Sequence, residues 1–302
     1  MKILEMAHGI IWGPWTVGIF LIVGLVLSVR CHFFQILGFK YWWKSTWGSL
    51  WEHGRGHDEK AVNNAGHLGI TQFQSVCTAL AATVGTGNIA GVAAAIVSGG
   101  PGAVFWMWIS ALVGMATAYG ETYLGCRYRF KDNRGKWVCG PFIYMEKGLG
   151  IPFMAVGYSF FCFLCALGMG SMVQANSAAE TLEFTWGIPS ALGSGILALL
   201  TGAVVLGGIK RIGKAAECLL PLASGIYILF SLLVLLLCAD RIPDVFLRIF
   251  QSAFGIRQIS GGIAGFGISK SLRYGISRGV FSNEAGLGTL AVLHGPAEHA
   301  TP

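Results

Sequence analysis

The stretch "TALAATVGTGNIAGVAAAIVSGG", residues 78–100, is apolar enough to be buried, but "VGTGN" interrupts it at residues 84–88. Gly85 and Gly87 each lower helix propensity by about 1 kcal/mol relative to alanine. Thr86 and Asn88 add polar groups whose burial costs free energy unless they are hydrogen-bonded. We therefore predict a helix that is broken at this point, and we expect the break to serve a function.

The composition surrounding this stretch is that of a membrane protein. Of the 302 residues, 54% are hydrophobic and 12% are charged, whereas a soluble domain carries about 25% charged residues. The apolar residues form blocks long enough for helices of about 20 residues, which span a bilayer. We predict an all-α polytopic protein with spans at 12–29, 76–98, 103–126, 153–175, 189–208 and 217–238, and a weaker seventh at 259–292 that contains Lys270, Arg273 and Arg278.

The first apolar block resembles a signal peptide but lacks its cleavage site. Arg30 and a bulky aromatic run follow it, where a signal peptide has small residues. We therefore predict a helix that is retained.

The net charge of +7 follows the membrane topology. Basic residues cluster between spans one and two, after span three and after span five, whereas "SGGPG" and "AAETLEFTWGIP" contain no Lys or Arg. The positive-inside rule then predicts cytoplasmic basic loops and an N-terminus outside. A nucleic-acid partner is not needed to explain this charge.

Two local patterns could form a redox or metal site, but another interpretation is favoured for each. Cys162 and Cys165 form a C-x-x-C pair, but within the apolar "YSFFCFLCALGMG", which favours packing in a membrane helix. The loop "HGRGHDE" could hold a metal, although a solvated cytoplasmic loop is the favoured interpretation; its candidate ligands are His53, His57, Asp58 and Glu59.

A broken helix inside a membrane is suited to binding small ions. The second half-helix begins with free N–H groups and a positive dipole end, which favour a carboxylate. The first half-helix ends in free carbonyls, which favour a small cation such as Na⁺, and discontinuous helices of this kind form the sites of many secondary transporters. A close-packing face of small residues is the alternative, but it leaves Thr86 and Asn88 unexplained.

A second interruption lies in "RGVFSNEAGLG", residues 278–288. Aligned on the asparagines, Asn88-Ile-Ala-Gly corresponds to Asn283-Glu-Ala-Gly. The predicted chain crosses the membrane an odd number of times between the two segments, as an inverted repeat of five helices requires. Matching breaks in two halves point to a transporter binding site.

Several segments resemble the alanine or glycine:cation symporter family, also called the sodium:alanine symporters. They follow the family's order from about residue 10 to 290 and read "TVGTGNIAGVAAAI", "GPGAVFWMW", "GETYLGCRYR", "GPFIYMEKGLG", "GSMVQANS" and "RGVFSNEAGLG". The resemblance implies a leucine-transporter-type inverted-repeat fold (5+5) with one extra N-terminal helix. Residues 1–302 would then form a single membrane domain, with the extra helix at 10–30, the first five-helix repeat at 70–238 and the start of the second repeat at 255–302.

The resemblance also implies ten core helices, and the chain ends at "GPAEHATP", soon after core helix six. We therefore expect a chain that is truncated and lacks the last four core helices.

The same resemblance implies a set of binding residues. The amides of Thr86 and Gly87 would meet the substrate carboxylate, and Phe281, Ser282 and Asn283 would close the opposite wall. Carbonyls of Ala81 and Val84 would supply part of one Na⁺ site, and Thr83 and Asn88 part of another. Gln174 is either a substrate ligand or a hydrogen-bonding residue between helices.

Two acidic residues each have two alternative roles. Glu121 is either a functional intramembrane carboxylate or a structural partner of Arg127 or Arg129. Glu284, beside Asn283, senses a cation or proton or pairs with Arg278.

The leading hypothesis is a sodium-coupled symporter that imports alanine or glycine across the cell membrane, with Na⁺ as coupling ion and no other cofactor. The alternatives are an ion channel or pore-forming subunit and a non-functional fragment of the transporter. An enzyme is disfavoured because the chain has no H-E-x-x-H motif.

Overall fold

The computed structural model describes residues 13–44, 70–168, 172–255 and 264–297. Nearly all of the regular structure in these ranges is helical. The first helices are α1 (Pro14–Arg30), α2 (Phe34–Leu37) and α3 (Phe39–Trp43). They match the predicted N-terminal helix, which ends where His32 and Phe33 adopt left-handed backbone conformations.

The first predicted break is present. Helix α4 (Gln72–Thr83) ends, and α5 (Thr86–Gly99) begins after only Val84 and Gly85. Helix α4 starts with a capping box, in which the hydroxyl of Thr71 accepts from the amide of Gln74 and the Gln74 side chain accepts from the amide of Thr71. Such a box satisfies two donors that the helix itself leaves unpaired.

A long helix and a short hairpin follow. Helix α6 runs over Gly102–Tyr128, and strands β1 (Phe130–Lys131) and β2 (Trp137–Val138) pair antiparallel. The carboxylate of Asp132 closes their turn by accepting from the amides of Arg134 and Lys136, both at 2.8 Å.

The next elements are α7 (Pro141–Lys147), α8 (Pro152–Gly168), α9 (Met172–Trp186), α10 (Ser190–Val205), α11 (Gly208–Leu237), a 3₁₀ turn (Ala239–Arg241) and α12 (Ile242–Ala253). One expectation was wrong here: the basic residues Lys210, Arg211 and Lys214 were expected in a loop but lie inside α11. Lysine and arginine are good helix formers, and Gly213 packs against Ile70 and Gln74.

The second predicted break is also present. Helix α13 (Ala264–Asn283) and helix α14 (Thr289–His294) are separated by residues 284–288. Glu284, Gly286 and Gly288 have φ angles of 54°, 85° and 89° in this segment. These are left-handed conformations, which glycine adopts without steric cost and a residue such as glutamate adopts rarely.

Four helical stretches of the described residues are long and apolar enough to cross a membrane by length and composition: Gln72–Gly99, Gly102–Tyr128, Pro152–Trp186 and Gly208–Leu237. The range Pro152–Trp186 includes residues 169–171, which lie outside the described part. Trp15–Arg30 and Ser190–Val205 are shorter apolar helices. The expected seventh span at 259–292 does not meet the same criteria, and it is divided by the second break.

The chain forms two compact units, each assembled from separate stretches. The first unit contains Met1–Glu52, Gly87–Gly120 and Ser224–Leu287, and the second contains His53–Thr86, Glu121–Ala223 and Gly288–Pro302. In the first unit Val17, Ile276 and Val280 form a buried apolar cluster against Phe20, Leu21, Trp106 and Leu272.

Small residues bring α13 close to α6 within the first unit. A Cβ atom on Gly275 would lie 2.5 Å from the carbonyl oxygen of Ala103, and one on Gly279 would lie 2.8 Å from Ser110. Gly275, Gly279 and Asn283 are spaced by four residues and therefore share one face of α13. Such small-residue faces let membrane helices approach closely.

We expect Gly275→Ala to lower the thermal unfolding temperature of the detergent-solubilised protein, because the added methyl group meets backbone atoms of α6. The matched control is Gly225→Ala in α11, where no described atom lies within 4 Å of the added Cβ. The control should stabilise the protein slightly, because alanine is about 1 kcal/mol better than glycine in a helix. A stabilising effect at both positions would contradict the close packing of α13 on α6.

Candidate functional site

The start of α5 and the end of α13, each next to a helix break, meet in the first unit. Ser282, at the end of α13, donates its hydroxyl hydrogen to the Oδ1 atom of Asn88 near the start of α5. A Cβ on Gly87 would lie 3.5 Å from the ring of Phe281, which is an ordinary van der Waals contact. The structure thus brings together four of the residues that the sequence assigned to binding: Gly87, Asn88, Phe281 and Ser282.

Gly85 and Gln174 meet in the second unit. A Cβ atom on Gly85 would lie 2.8 Å from Nε2 and 2.9 Å from Oε1 of Gln174. Only glycine therefore allows the Gln174 amide to lie this close to the break. The Gln174 side chain is otherwise exposed, so its amide has room for a further hydrogen-bonding partner.

The end of α4 presents the carbonyls that the sequence assigned to Na⁺. The last four carbonyls of a helix have no partner within it, and Val84 leaves the helix with φ −85° and ψ 89°. The hydroxyl of Thr83 donates back to the carbonyls of Ala79 and Leu80, both at 3.2 Å. The Thr83 hydroxyl hydrogen is thus directed toward its own helix.

The helix α5 begins at Thr86, so the amides of Thr86, Gly87 and Asn88 belong to its first turn. The first-turn amides of a helix lack intrahelical acceptors and carry the positive end of the helix dipole. No Lys or Arg occurs between Lys60 and Arg127. The chain around the break therefore contributes only backbone dipoles, and from α13 the guanidinium of Arg278 lies near Gly91 of α5.

Asn283 takes a different position from the one expected. Its Oδ1 accepts from the amide of Ala285 at 3.0 Å, and its Nδ2 lies where a Cβ on Gly114 would be 2.7 Å away. Nδ2 is buried and has no hydrogen-bond partner among the described residues. The side chain thus closes the turn after α13 and packs on α6, and its assignment to the wall of the substrate site stays a prediction. The glycine at position 114 was not singled out by the sequence, because a lone glycine in an apolar helix carries no signal of its tertiary contact.

Glu121 is buried, and the structure gives it backbone partners. It is 5% exposed, and its Oε1 accepts from the amides of Leu290 at 2.8 Å and Ala291 at 3.3 Å. Arg129 donates to two carbonyls at the other end of the same short helix, α14. These backbone partners could not be read from the sequence, which offered only side-chain charges to pair.

The other candidates stay apart from the breaks. The guanidinium of Arg278 lies near Gly91 of α5, so the proposed pairing of Glu284 with Arg278 stays a prediction. Cys162 and Cys165 are exposed on α8. The possible metal loop with His53 and His57 lies outside the described residues, and within those residues no cluster of three or more His, Cys, Asp or Glu could hold a metal ion.

Apolar helices of membrane-spanning length, with two of the helical segments broken at polar and glycine residues, define a multi-pass membrane protein of the transporter class. A model of the sodium:alanine symporter family matches residues 1–302. The chain belongs to this family.

Three relatives show the extent of the similarity. The sodium/alanine symporter AgcS of Methanococcus maripaludis is 39% identical over 308 residues, which cover 100% of this chain and 64% of that protein. An uncharacterized transporter of Haemophilus influenzae is 38% identical over 302 residues, which cover 100% of this chain and 63% of that protein. The putative sodium/proton-dependent alanine carrier protein YrbD of Bacillus subtilis is 38% identical over 283 residues, covering 93% and 54%.

The chain therefore spans just under two thirds of the length of the first two relatives. The family match does not support the expected truncation after core helix six, which stays a prediction. The match also leaves open the arrangement of the core helices.

The contact between the two breaks can be tested by a double-mutant cycle. We expect Asn88→Ala and Ser282→Ala to show a coupling free energy of about 0.5–1.5 kcal/mol in the unfolding of the protein, the usual value of one hydrogen bond. The control cycle pairs Ser282→Ala with Ser271→Ala, because Ser271 donates to the carbonyl of Gly99 and shares no partner with Ser282. Additive effects in the Asn88–Ser282 cycle would show that the two breaks are not joined.

Proposed function

We propose that the protein is a sodium-coupled symporter that imports a small amino acid, alanine or glycine, across the cell membrane by alternating access. The observation that supports it most is the broken helix α4–α5, found in a chain of the sodium:alanine symporter family. The proposal includes the leucine-transporter-type fold, with α1 as the extra N-terminal helix and α4–α5 and α13–α14 as the two related broken helices.

The substrate carboxylate binds at the start of α5 in this proposal. The amides of Thr86 and Gly87 are its donors, because they lie in the first turn of α5 and a helix N-terminus favours an anion. Glycine at position 87 keeps this stretch of backbone accessible, with the Phe281 ring on the side where a Cβ would be. No arginine is required for this contact.

Na⁺ binds at the other side of the same break. Carbonyl oxygens of Ala81 and Val84 face it from the end of α4, and Thr83 and Asn88 add side-chain oxygens. Oxygen atoms are the ligands that a hard cation prefers, and the end of a helix carries partial negative charge. Cation and carboxylate therefore bind at adjacent points of one short segment, residues 81–88, and each lowers the electrostatic cost of binding the other.

Asn88 links the ion to the second break. Its Oδ1 accepts a hydrogen bond from Ser282, and an amide oxygen is a type of ligand that a hard cation prefers. Through Ser282, the occupancy of the ion site can influence the end of α13. Gln174, whose amide lies at Gly85, is the proposed side-chain ligand from α9.

The function is tested by the uptake of ²²Na⁺ into liposomes that contain the purified protein. A symporter for these substrates takes up ²²Na⁺ in response to external alanine or glycine and does not do so in response to an acidic amino acid such as aspartate. An alanine-independent Na⁺ conductance would favour an ion channel instead. The absence of both would exclude transport by this chain.

The role of Asn88 gives a sharper prediction. Asn88→Ala should weaken alanine binding mainly by removing its dependence on Na⁺, because the shared ligand couples the two sites by about 1–3 kcal/mol. The measurement is alanine affinity at several Na⁺ concentrations. The matched control is Asn176→Ala, since Asn176 donates to Glu180 one turn away on α9. A Na⁺ dependence that is unchanged in Asn88→Ala would remove Asn88 from the ion site.

A further inference from the structure

The short helix α14 cannot hold its own position. It has six residues, Thr289–His294, and isolated helices below about 12 residues are marginal in water. Its N-cap is Gly288, which has no side chain to accept from the free amides of the first turn. The location of α14 therefore depends on other elements of the second unit.

Glu121 of α6 supplies the missing cap. Its carboxylate accepts from the amides of Leu290 and Ala291, which are the second and third residues of α14. A carboxylate at a helix N-terminus also interacts favourably with the helix dipole. Burial and the negative charge of Glu121 raise the pKa of the nearby Tyr144 to about 12, so the neutral phenol faces this carboxylate across the ordinary pH range.

Arg129, which follows directly after α6, holds the opposite end. Its Nη1 donates to the carbonyl oxygens of Gly295 and Ala297, both at 2.6 Å. A cation is favoured at a helix C-terminus for the same reason that an anion is favoured at the N-terminus. The guanidinium is held in place by the indole ring of Trp137, 4.0 Å from its centroid.

Gly125 lies between the two charges. A Cβ atom there would be 2.8 Å from both the Cα and the Cβ atoms of Ala291, so only glycine permits this approach. Glu121 and Gly125 are spaced by four residues, which places them on one face of α6, and Arg129 follows four residues later, one residue past the end of the helix. This spacing matches the length of α14, because Glu121 lies at the start of α14, Gly125 lies against its middle and Arg129 lies at its end.

We propose that Glu121, Gly125 and Arg129 are positioning residues that attach α14 to α6. Charge-assisted hydrogen bonds are about twice as strong as neutral ones. The neighbouring helix α4 contacts α14 through a neutral group, the hydroxyl of Ser75, which lies 3.1 Å from both the Leu293 carbonyl and the Nδ1 atom of His294. Helix α14 is therefore held by charge-assisted hydrogen bonds from Glu121 and Arg129 in addition to its packing on α4.

Hydrogen exchange measured by mass spectrometry tests this attachment directly. The purified protein in lipid nanodiscs is compared with Glu121→Gln and Arg129→Gln, in peptides that cover residues 286–297. We expect exchange in these peptides to be at least about tenfold faster in both variants, as the loss of a hydrogen bond to a charged group implies. Arg129→Lys keeps the charge and a donor for the same carbonyls, so it should restore most of the protection.

The controls remove equal charges nearby. Glu146→Gln and Arg127→Gln each remove one charge from an exposed side chain. Both variants should show wild-type hydrogen exchange in the peptides that cover residues 286–297. Wild-type exchange in both Glu121→Gln and Arg129→Gln would overturn the proposal, and so would equal acceleration in the controls. If Glu121→Gln does not fold, the proposal is tested by comparing the hydrogen exchange of residues 286–297 in Arg129→Gln with that in Arg129→Lys.

The consequence for transport rests on the proposed function, whereas the exchange measurement does not. In ²²Na⁺ uptake, Arg129→Gln should lower the maximal rate at least about tenfold, and Arg129→Lys should restore it. Wild-type protein without alanine-driven uptake would refute the proposed function and leave the exchange result to decide the attachment. Faster exchange in Arg129→Gln with an undiminished maximal rate would confirm the attachment and refute its role in transport.

Discussion

The rest of the structure depends on one constraint: a backbone N–H or C=O group inside a bilayer must find a partner within the protein, because lipid offers none. An unbroken helix meets this constraint by itself, but this chain breaks two helical segments, at Val84–Gly85 and at residues 284–288. Each break exposes amides on one side and carbonyls on the other. The surrounding residues satisfy part of these groups, and we propose that others bind an ion and a carboxylate.

The two breaks meet the constraint differently. At the second break, buried charges complete the short helix α14, with Glu121 on its amides and Arg129 on its carbonyls. At the first break, the partners are neutral and small: Ser282 bonds Asn88, and the Gln174 amide lies against Gly85. The second break is thus completed by charged side chains, whereas the described partners at the first break are neutral.

The amino-acid sequence predicts where the helices break, but it does not predict which residues contact the breaks in the folded chain. Gly85, Gly87 and Asn88 mark the first break because such residues are costly inside an apolar helix, and the structure ends and restarts the helix at that point. Glu121 was expected to act in function or to pair with an arginine side chain, but it bonds backbone amides 169 and 170 residues away. Asn283 matches Asn88 in sequence, yet it packs on Gly114. Contacts of this kind depend on which helices lie side by side, which no local pattern encodes.

The central claim is that residues 81–88 bind a carboxylate and a cation at adjacent points, so that each ligand stabilises the other. The most direct test is reciprocal linkage in the purified protein: the dissociation constant of alanine is measured with and without saturating Na⁺, and that of Na⁺ with and without saturating alanine. Linkage requires that both constants change by the same factor, about 5–150-fold for couplings of this size. Alanine binding of equal strength in Na⁺ and in choline would contradict the claim.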